Sequence, residues 1–309
     1  MKKTALILIL VLTFTSLYAQ SERRKADTTS IPSALRFGID YRSDYYYMGR
    51  ADSAKAPYIT PSLAYFHKSG LFISGNLSYL TAEGQNRIDL YTLSAGYDYN
   101  RNQFAAGASI SQYFFNDSSY AVQAEMSTYT SAYIGYDLKW LMIFVDGSLG
   151  LSSEVDVFLG AEISRAFYLL QDKLRLRPSF YTNFGTQHYY RDYYVNRSIV
   201  LGGPGKNNGK KNGGNNTGNS GPGGGGDTSN PPETTIITEA RTLNSEKFQV
   251  LDYELSLQAS YRLNQFQIIS SATVLFPVNP STVVTDQTTY IEELENGFLW
   301  SLGIRYSLK

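Results

Sequence analysis

The sequence predicts an all-β protein: a transmembrane, antiparallel, up-and-down β-barrel with twelve strands. Three observations predict this fold. Apolar and polar residues alternate over many segments, a period of two that places successive side chains on opposite faces of a strand. Beyond the N-terminal segment, no apolar run is long enough to cross a membrane as a helix. The connections between the alternating segments run long, short, long, short, as they do in membrane barrels.

The first six predicted strands each have one apolar face. In strand one, Leu35, Phe37, Ile39 and Tyr41 alternate with polar residues and glycine, and strand four alternates in the same way from Tyr91 to Tyr99. A half-buried strand needs this alternation. The predicted strands cover residues 35–42, 57–67, 71–79, 87–99, 104–115 and 132–138.

The remaining six strands follow the same rule, and the closing one is the clearest. From Gly297 to Leu308 large apolar residues alternate without a break with residues that, apart from Leu299, are small or charged. Strand ten alternates nearly as well, with Leu251, Tyr253 and Leu255 assigned to its apolar face. The predicted ranges are 141–151, 155–163, 174–184, 248–263, 266–276 and 297–308.

Short polar turns separate alternate pairs of strands. They lie at 67–70, 100–103, 137–140, 170–173 and 263–265. Outer-membrane barrels have short periplasmic turns and long external loops. An even number of strands therefore predicts that both termini are periplasmic. Ten or fourteen strands would require two of the assignments to be wrong.

Three segments lie outside the predicted barrel strands. Residues 1–19 carry Lys2 and Lys3, an apolar run and a small residue at Ala19, the pattern of a secretory signal peptide; a single membrane anchor is the alternative, but the run is short for one. Residues 20–34 form a predicted periplasmic leader before the barrel at 35–309. Residues 202–232 are rich in Gly and Asn, which predicts a disordered external loop.

The last strand also carries a resemblance. Its pattern Ser301-x-Gly303-x-x-Tyr306-x-Leu308 resembles the C-terminal β-signal by which bacterial outer-membrane barrels are recognised for insertion. Lys309 departs from that pattern, since such chains commonly stop on an aromatic residue. The resemblance implies that Gly303, Tyr306 and Leu308 form a membrane-insertion signal. It also implies a Gram-negative cell, the barrel-assembly machinery as a partner and outer-membrane lipid as the surroundings.

A second resemblance covers residues 43–80. Ser43-Asp44-Tyr45, Gly49-Arg50, Pro57, Pro61-Ser62-Leu63-Ala64-Tyr65 and Ser69-Gly70-Leu71-Phe72 resemble the opening two hairpins of a bacterial porin family of largely unknown function. That family favours Arg-Gly where this chain has Met48-Gly49-Arg50. The resemblance implies a barrel that starts here, and it transfers no site residues.

Composition excludes several kinds of site. Lys plus Arg equal Asp plus Glu at 27 each, which provides no electrostatic footprint for nucleic acid. The chain has no cysteine, hence no disulfide framework and no thiolate metal site. No metal or cofactor is predicted. Tyrosine is abundant at 26 residues, which fits the aromatic girdles of a membrane barrel.

Charged residues on the polar faces are the first candidate site. In hydrocarbon each would be costly, so they are predicted to line the lumen. They would then select a charged or zwitterionic solute in a pore, or pair with one another and fill a narrow closed barrel. These pore-lining candidates are Arg36, Asp40, Arg42, Asp98, Asp146, Asp156, Glu162, Arg175, Arg177, Asp252, Glu254, Arg262 and Arg305.

Tyrosines at the outer strand ends are the second candidate. They would form an interfacial girdle, or an aromatic platform on which a surface glycan stacks. This predicted aromatic rim consists of Tyr45, Tyr46, Tyr47, Tyr189, Tyr190, Tyr193 and Tyr194.

The function predicted from these features is a porin-like outer-membrane channel that transports small polar solutes through a charged lumen. The alternative is a closed structural or binding barrel whose external loops and Tyr-rich rim contact a glycan or protein partner. An outer-membrane hydrolase is a third hypothesis, which we do not favour. Only His67 and His188 could serve as a base, and neither is accompanied by a serine motif.

Overall fold

The computed structural model describes residues 32–52, 54–192, 240–285 and 289–308. The predicted signal peptide, nearly all of the leader and the Gly/Asn-rich segment lie outside these ranges. Within them the chain forms sixteen strands: β1 (Ala34–Arg42), β2 (Tyr58–Phe66), β3 (Leu71–Leu80), β4 (Arg87–Arg101), β5 (Phe104–Phe115), β6 (Thr128–Asp137), β7 (Met142–Leu151), β8 (Val155–Ser164), β9 (Phe167–Leu169), β10 (Leu174–Gly185), β11 (Ala240–Leu243), β12 (Gln249–Leu263), β13 (Phe266–Pro277), β14 (Thr282–Thr285), β15 (Thr289–Ile291) and β16 (Gly297–Leu308).

Twelve of these strands form one closed antiparallel barrel, as the sequence predicts. Strands β1 to β8 pair in sequence order; the ring then continues from β8 through β10, β12 and β13 to β16. The barrel closes where β1 pairs with β16, in a register that runs from Leu35 opposite Leu308 to Arg42 opposite Ser301. Closure leaves the barrel sheet no unpaired edge, which is the condition for strands to cross lipid.

The outer surface of the barrel is apolar. Large side chains such as Leu93 and Ile134 are more than half exposed, at 57% and 56%. Aromatic residues face outward towards both ends of the strands, as in the pairs Tyr41–Trp300 and Phe266–Tyr306. An apolar band with aromatic residues at its borders is the surface that a bilayer solvates. In the part of the chain that the structure describes, no helix has the length and apolarity needed to cross a membrane.

The connections differ at the two ends of the barrel. At one end, called the turn end here, residues 67–70, 102–103, 138–141 and 264–265 form short connections. Asn102 and Asn264 adopt positive φ angles of 57° and 53° there, a conformation that asparagine tolerates. The short turn at 170–173 is also confirmed, within a hairpin of β9 and β10 that the sequence did not reveal.

The opposite end, called the loop end, carries the longer connections 43–57, 116–127, 186–248 and 278–296. The prediction that every connection here is long is wrong at one position. Residues 152–154 join β7 to β8 by a tight turn in which Ser152 N donates to Glu154 O at 3.0 Å. Strands β11, β14 and β15 form a small separate sheet within the loop-end connections.

Two β-bulges interrupt the alternation, both near the loop end. The register of β4 against β3 shifts at Asp89, and that of β12 against β10 shifts at Leu251. An extra residue in one strand changes the direction of its neighbours. Asp89 and Leu90 are therefore both buried, as are Leu251 and Asp252. The assignment of Leu251 to the lipid-facing side was wrong for this reason.

Candidate functional site

The lumen contains a polar cavity of about 590 Å³, called the chamber here. Four charged side chains line it: Arg36, Asp40 and Arg42 from β1, and Arg305 from β16. Hydroxyl and amide side chains from β2, β3, β12 and β13 complete much of its wall. The inward faces of these strands carry small polar residues, so space remains between the opposite walls.

The charged groups of the chamber are only loosely paired. Arg305 Nη2 lies 4.0 Å from Asp40 Oδ1, at the limit of an ion pair. The Arg36 guanidinium lies 4.6 Å from the centre of the Phe66 ring, a cation–π distance. Gly303 makes room for the Asp40 carboxylate, because a Cβ at that position would collide with it.

Acidic side chains elsewhere in the lumen have close partners. Tyr133 Oη donates to Asp98 Oδ1 at 2.7 Å, and Tyr181 Oη donates to Asp146 Oδ1 at 2.8 Å. Glu162 forms an ion pair with Arg177 across the β8–β10 pair. These contacts satisfy charges that the strand register brings inside; of the three, Glu162–Arg177 is an ion pair of the kind that the closed-barrel alternative expects.

Asp252 and Glu254 lie on the inward face of β12 and share one amide. Asn183 Nδ2 donates to Asp252 Oδ1 at 2.7 Å and to Glu254 Oε1 at 3.3 Å. The β10–β12 register places Asn183 directly opposite Asp252. No group of three metal-ligating side chains occurs in the described ranges.

Loop-end residues fold into the lumen and form what we call the plug. It consists of residues 43–57, 119–126 and 186–190, packed against inward side chains of the barrel. One apolar cluster joins Val122 and Met126 to Phe158, Tyr189 and Leu251, with Tyr47 against it. A second joins Ala56, Tyr58, Leu80 and Tyr120, with Tyr45 against it.

Tyr47 shows how far the plug reaches across the barrel. It follows β1, yet its ring centre lies 5.9 Å from that of Phe158 in β8 and 5.0 Å from that of Tyr189 after β10. Both ring pairs are nearly perpendicular, a favourable aromatic geometry. Since β1 and β8 lie on opposite sides of the ring of strands, this part of the plug spans the lumen.

Arg50 fastens the plug to two other segments. It is only 2% exposed, and its guanidinium donates to the carbonyl oxygens of Met48, Leu251, Val278 and Asn279 over 2.7–3.1 Å. Its Nε lies 3.4 Å from Glu292 Oε1. One buried cation therefore joins the loop after β1, the bulge of β12 and the loop after β13.

Asp156 organises the segment after β10 in a similar way. Its carboxylate accepts hydrogen bonds from Thr186 Oγ1 and from the backbone N–H groups of His188 and Tyr189, each at 2.7 Å. Residues 188–192 are helical, so this acid satisfies free N–H groups at a helix start. Asp156 was predicted to line a pore; it is fully buried in the plug instead.

The environment of His188 does not suit a hydrolase. Its Nδ1 lies 3.1 Å from Asp156 Oδ1, and its Nε2 lies 3.1 Å from Glu154 Oε2. Ser153 precedes Glu154 in the chain, but its hydroxyl donates to Asp192. Both ring nitrogens of His188 face carboxylates, so this histidine is not placed to act as the base for a serine nucleophile.

Burial keeps the tyrosines of the plug neutral. The pKa of the Tyr45 hydroxyl is raised to about 12, chiefly by burial, with Arg42 lowering it in part and Asp89 adding to the rise. Burial also holds the pKa values of Tyr47 and Tyr189 well above the usual range. The plug is therefore most favourable with all three hydroxyls protonated.

The predicted aromatic rim is divided by the structure. Tyr45 and Tyr47 pack into the plug, and Tyr189 is fully buried there. These three side chains belong to neither a girdle nor an external platform. Tyr46 and Tyr190 are partly exposed, whereas Tyr193 and Tyr194 lie outside the described residues.

The remaining predicted residues take separate positions. Arg262 lies on the inward side of β12 near the turn end and does not line the chamber. The Nε atom of Arg175 is buried without a hydrogen-bond partner among the described residues. Gly303, Tyr306 and Leu308 of the predicted insertion signal all lie in β16.

Sequence reasoning missed Arg50, Asp89 and Met126 as structural centres. Arg50 was noted only as part of a Gly-Arg motif, and nothing local distinguishes a buried loop arginine from a solvated one. Asp89 accepts hydrogen bonds from Ser119 Oγ at 2.7 Å and from Arg87 Nε at 2.9 Å. In β4 the apolar phase shifts between Ile88 and Tyr91, which was the available signal, whereas Leu251 and Asp252 keep the period of two and gave none.

Comparisons with known proteins give structural likeness only. No protein-family model matches the chain, and no curated protein matches it. The KdgM porin is a similar solved structure, with a TM-score of 0.44, 9% identity, and coverage of 88% of this chain and 99% of that one. The COG4313 outer membrane channel from Pseudomonas putida F1 has a TM-score of 0.41, 10% identity, and coverage of 93% and 100%. LpxR from Salmonella typhimurium has a TM-score of 0.40, 8% identity, and coverage of 88% and 99%.

The suggested relationship of residues 43–80 to a porin family thus has no support from sequence comparison. The kind of protein is clear from the barrel itself. Its twelve strands close without an edge, its outer face is an apolar band, and its polar residues turn inward. The chain is a β-barrel of the bacterial outer membrane.

Proposed function

We propose that this protein is a porin-like channel for small polar solutes that rests in a closed state. The chamber is the observation that carries the proposal. A barrel that served only as a scaffold would gain stability by filling its interior, yet here about 590 Å³ of polar space remains in the lumen. The chamber adjoins the plug where Tyr45 of the plug and Tyr58 of β2, which packs against it, both line the chamber.

The plug accounts for the resting state. It consists of connections between strands, so it can leave the lumen without breaking any barrel ladder. In this proposal the loop end is external and the termini are periplasmic, as in other barrels of this kind. A solute would pass when the plug moves and would meet the charged wall of the chamber.

Planar-bilayer conductance tests this proposal. The refolded protein is compared with a variant in which residues 46–54 are replaced by a Gly/Ser linker of equal length. We expect rare steps from the natural chain and frequent, stable steps from the linker variant. Silence from both, with folding verified by heat-modifiable migration in electrophoresis, would reject the channel.

A closed binding barrel is the second candidate, and the plug favours it. Its two apolar clusters and the Arg50 contacts make the loop end a built structure, which could present external residues to a glycan or protein partner. The linker variant separates the two candidates. If the protein is a binding barrel, the linker variant should lose partner binding. It should also show no channel whose ion selectivity depends on the charges of the chamber.

A further inference from the structure

We infer that the chamber is a binding site for small organic anions that carry carboxylate or phosphate groups. This inference rests on the proposed function and names the class of solute. It begins from an imbalance of charge: among the described residues that line the chamber there are three arginines and one carboxylate, Asp40.

The three arginines form a ladder along one wall. Arg36 and Arg42 are six positions apart on β1, which corresponds to roughly 20 Å along the strand. Along the direction of β1, Arg305 lies at a level between Arg36 and Arg42, because it pairs with Gly38 in the β1–β16 register. An anion that moves along this wall would pass from one guanidinium to the next.

The guanidinium groups remain available to a ligand. The Arg36 group lies 4.6 Å from the Phe66 ring centre, and the Arg42 group lies 6.0 Å from that of Tyr45. A ring covers a flat face and leaves the N–H groups at the edge free to donate. Within the described residues, Asp40 at 4.0 Å from Arg305 is the one carboxylate that pairs with any of the three.

The repulsion between the positive charges of the chamber favours a bound anion. Arg36 and Arg305 are neighbours on the inward face, because Arg305 lies opposite Gly38, two residues from Arg36, and their positive charges repel each other. Among the described residues that line the chamber, Asp40 is the one carboxylate that can offset this repulsion; Glu254 of β12, outside the chamber wall, offsets part of the charge of Arg42. A bound carboxylate or phosphate would replace the missing countercharge, and planar guanidinium groups match either oxyanion.

Binding is measured by titration calorimetry on the full-length protein in a neutral detergent at constant ionic strength. The probes are citrate, inorganic phosphate and glucose. Citrate and phosphate distinguish the two sources of negative charge, and glucose has neither. We expect at least one anion to bind and glucose not to bind.

Five variants locate the site. Arg36→Gln and Arg305→Gln each remove one donor group and should weaken anion binding about tenfold, and Arg305→Lys should recover part of the loss because it restores the charge. Asp40→Asn should strengthen binding. Arg262→Gln removes an inward arginine outside the chamber and should change nothing. Heat-modifiable migration verifies that each variant is folded.

The result separates this inference from the channel proposal. Anion binding by a protein that never conducts would support the site and reject the channel. Conductance without binding of either anion would support the channel and overturn the site. Equal citrate affinity for the natural chain, Arg36→Gln and Arg305→Gln would also overturn it.

Discussion

Replacement of Arg50 by methionine should release the plug while the barrel remains folded. The long apolar side chain fills similar space but provides no donor group. Four backbone carbonyls would each lose one donor, among them those of Leu251 and Val278, and Glu292 would keep its charge without the facing cation. Barrel ladders are untouched, since Arg50 lies in the connection between β1 and β2.

The size of the effect follows from burial. Arg50 is 2% exposed, so water cannot replace it at the carbonyls without opening the plug. Removal of one partner from a buried charged contact costs about 3–5 kcal/mol. Glu292 still accepts a hydrogen bond from Ser281 N at 2.9 Å, so we adopt the lower figure, about 3 kcal/mol. The closed state would be disfavoured more than a hundredfold, since each 1.4 kcal/mol corresponds to about a factor of ten.

Two measurements report on opening. Amide hydrogen exchange of Tyr47 and Arg50, whose backbone groups bond to each other at 2.8 and 3.0 Å, should accelerate by a similar factor. Open probability in a planar bilayer should rise in parallel. Arg191→Met is the matched control, because Arg191 pairs with Glu154, an exposed residue at the rim, and should cost less than about 1 kcal/mol.

The reasoning would be refuted by an Arg50→Met protein with natural exchange rates at Tyr47 and Arg50. Exchange that accelerates equally throughout the barrel would also contradict it, because Arg50 would then stabilise the whole fold rather than the plug.

Three further predictions concern the plug, the lipid face and the barrel closure. The folded pKa of Tyr45 is raised to about 12, so its contribution to plug stability should persist below about pH 10 and disappear as pH rises through 12; open probability should increase over that window, and less so in Tyr45→Phe. Leu93→Arg should cost roughly 2–4 kcal/mol in urea unfolding from lipid vesicles, while Thr92→Arg, on the inward face, should cost much less; equal losses would contradict the assigned faces. Gly303→Val should lower stability by about 1–3 kcal/mol through collision with the Asp40 carboxylate, and Asp40→Ala should restore part of it in the double variant; a double variant with no recovery would exclude that collision.

The barrel could be predicted from the sequence because lipid imposes a simple rule. Every outward side chain in the bilayer must be apolar, so Ile39, Leu93 and Leu255 recur at the period of a strand without regard to the residues they contact. The short turns could be predicted from local sequence for a similar reason, because Asn102 and Asn264 need only tolerate a left-handed backbone conformation. These features require no knowledge of distant parts of the chain.

The plug and the chamber could not be predicted in this way. Tyr47 packs against Tyr189, and Arg50 contacts Leu251 and Val278, across large separations in the sequence. Such contacts depend on which loops meet in space. Whether a charged side chain in the lumen finds a partner likewise depends on the strand register. Tyr133 reaches Asp98 from two strands away, whereas no acid reaches Arg36 among the described residues.

The contact between β1 and β16 also governs how the molecule can be made. Its two strands come from opposite ends of the described chain, yet they exchange partners over eight residue pairs. During synthesis β1 emerges early and must wait for the last strand before its backbone groups are satisfied. Until that moment the chain has two unsatisfied edges and cannot enter hydrocarbon alone. Closure between β1 and β16 therefore completes the fold, and loss of β16 would leave a sheet with two open edges that lipid cannot accept.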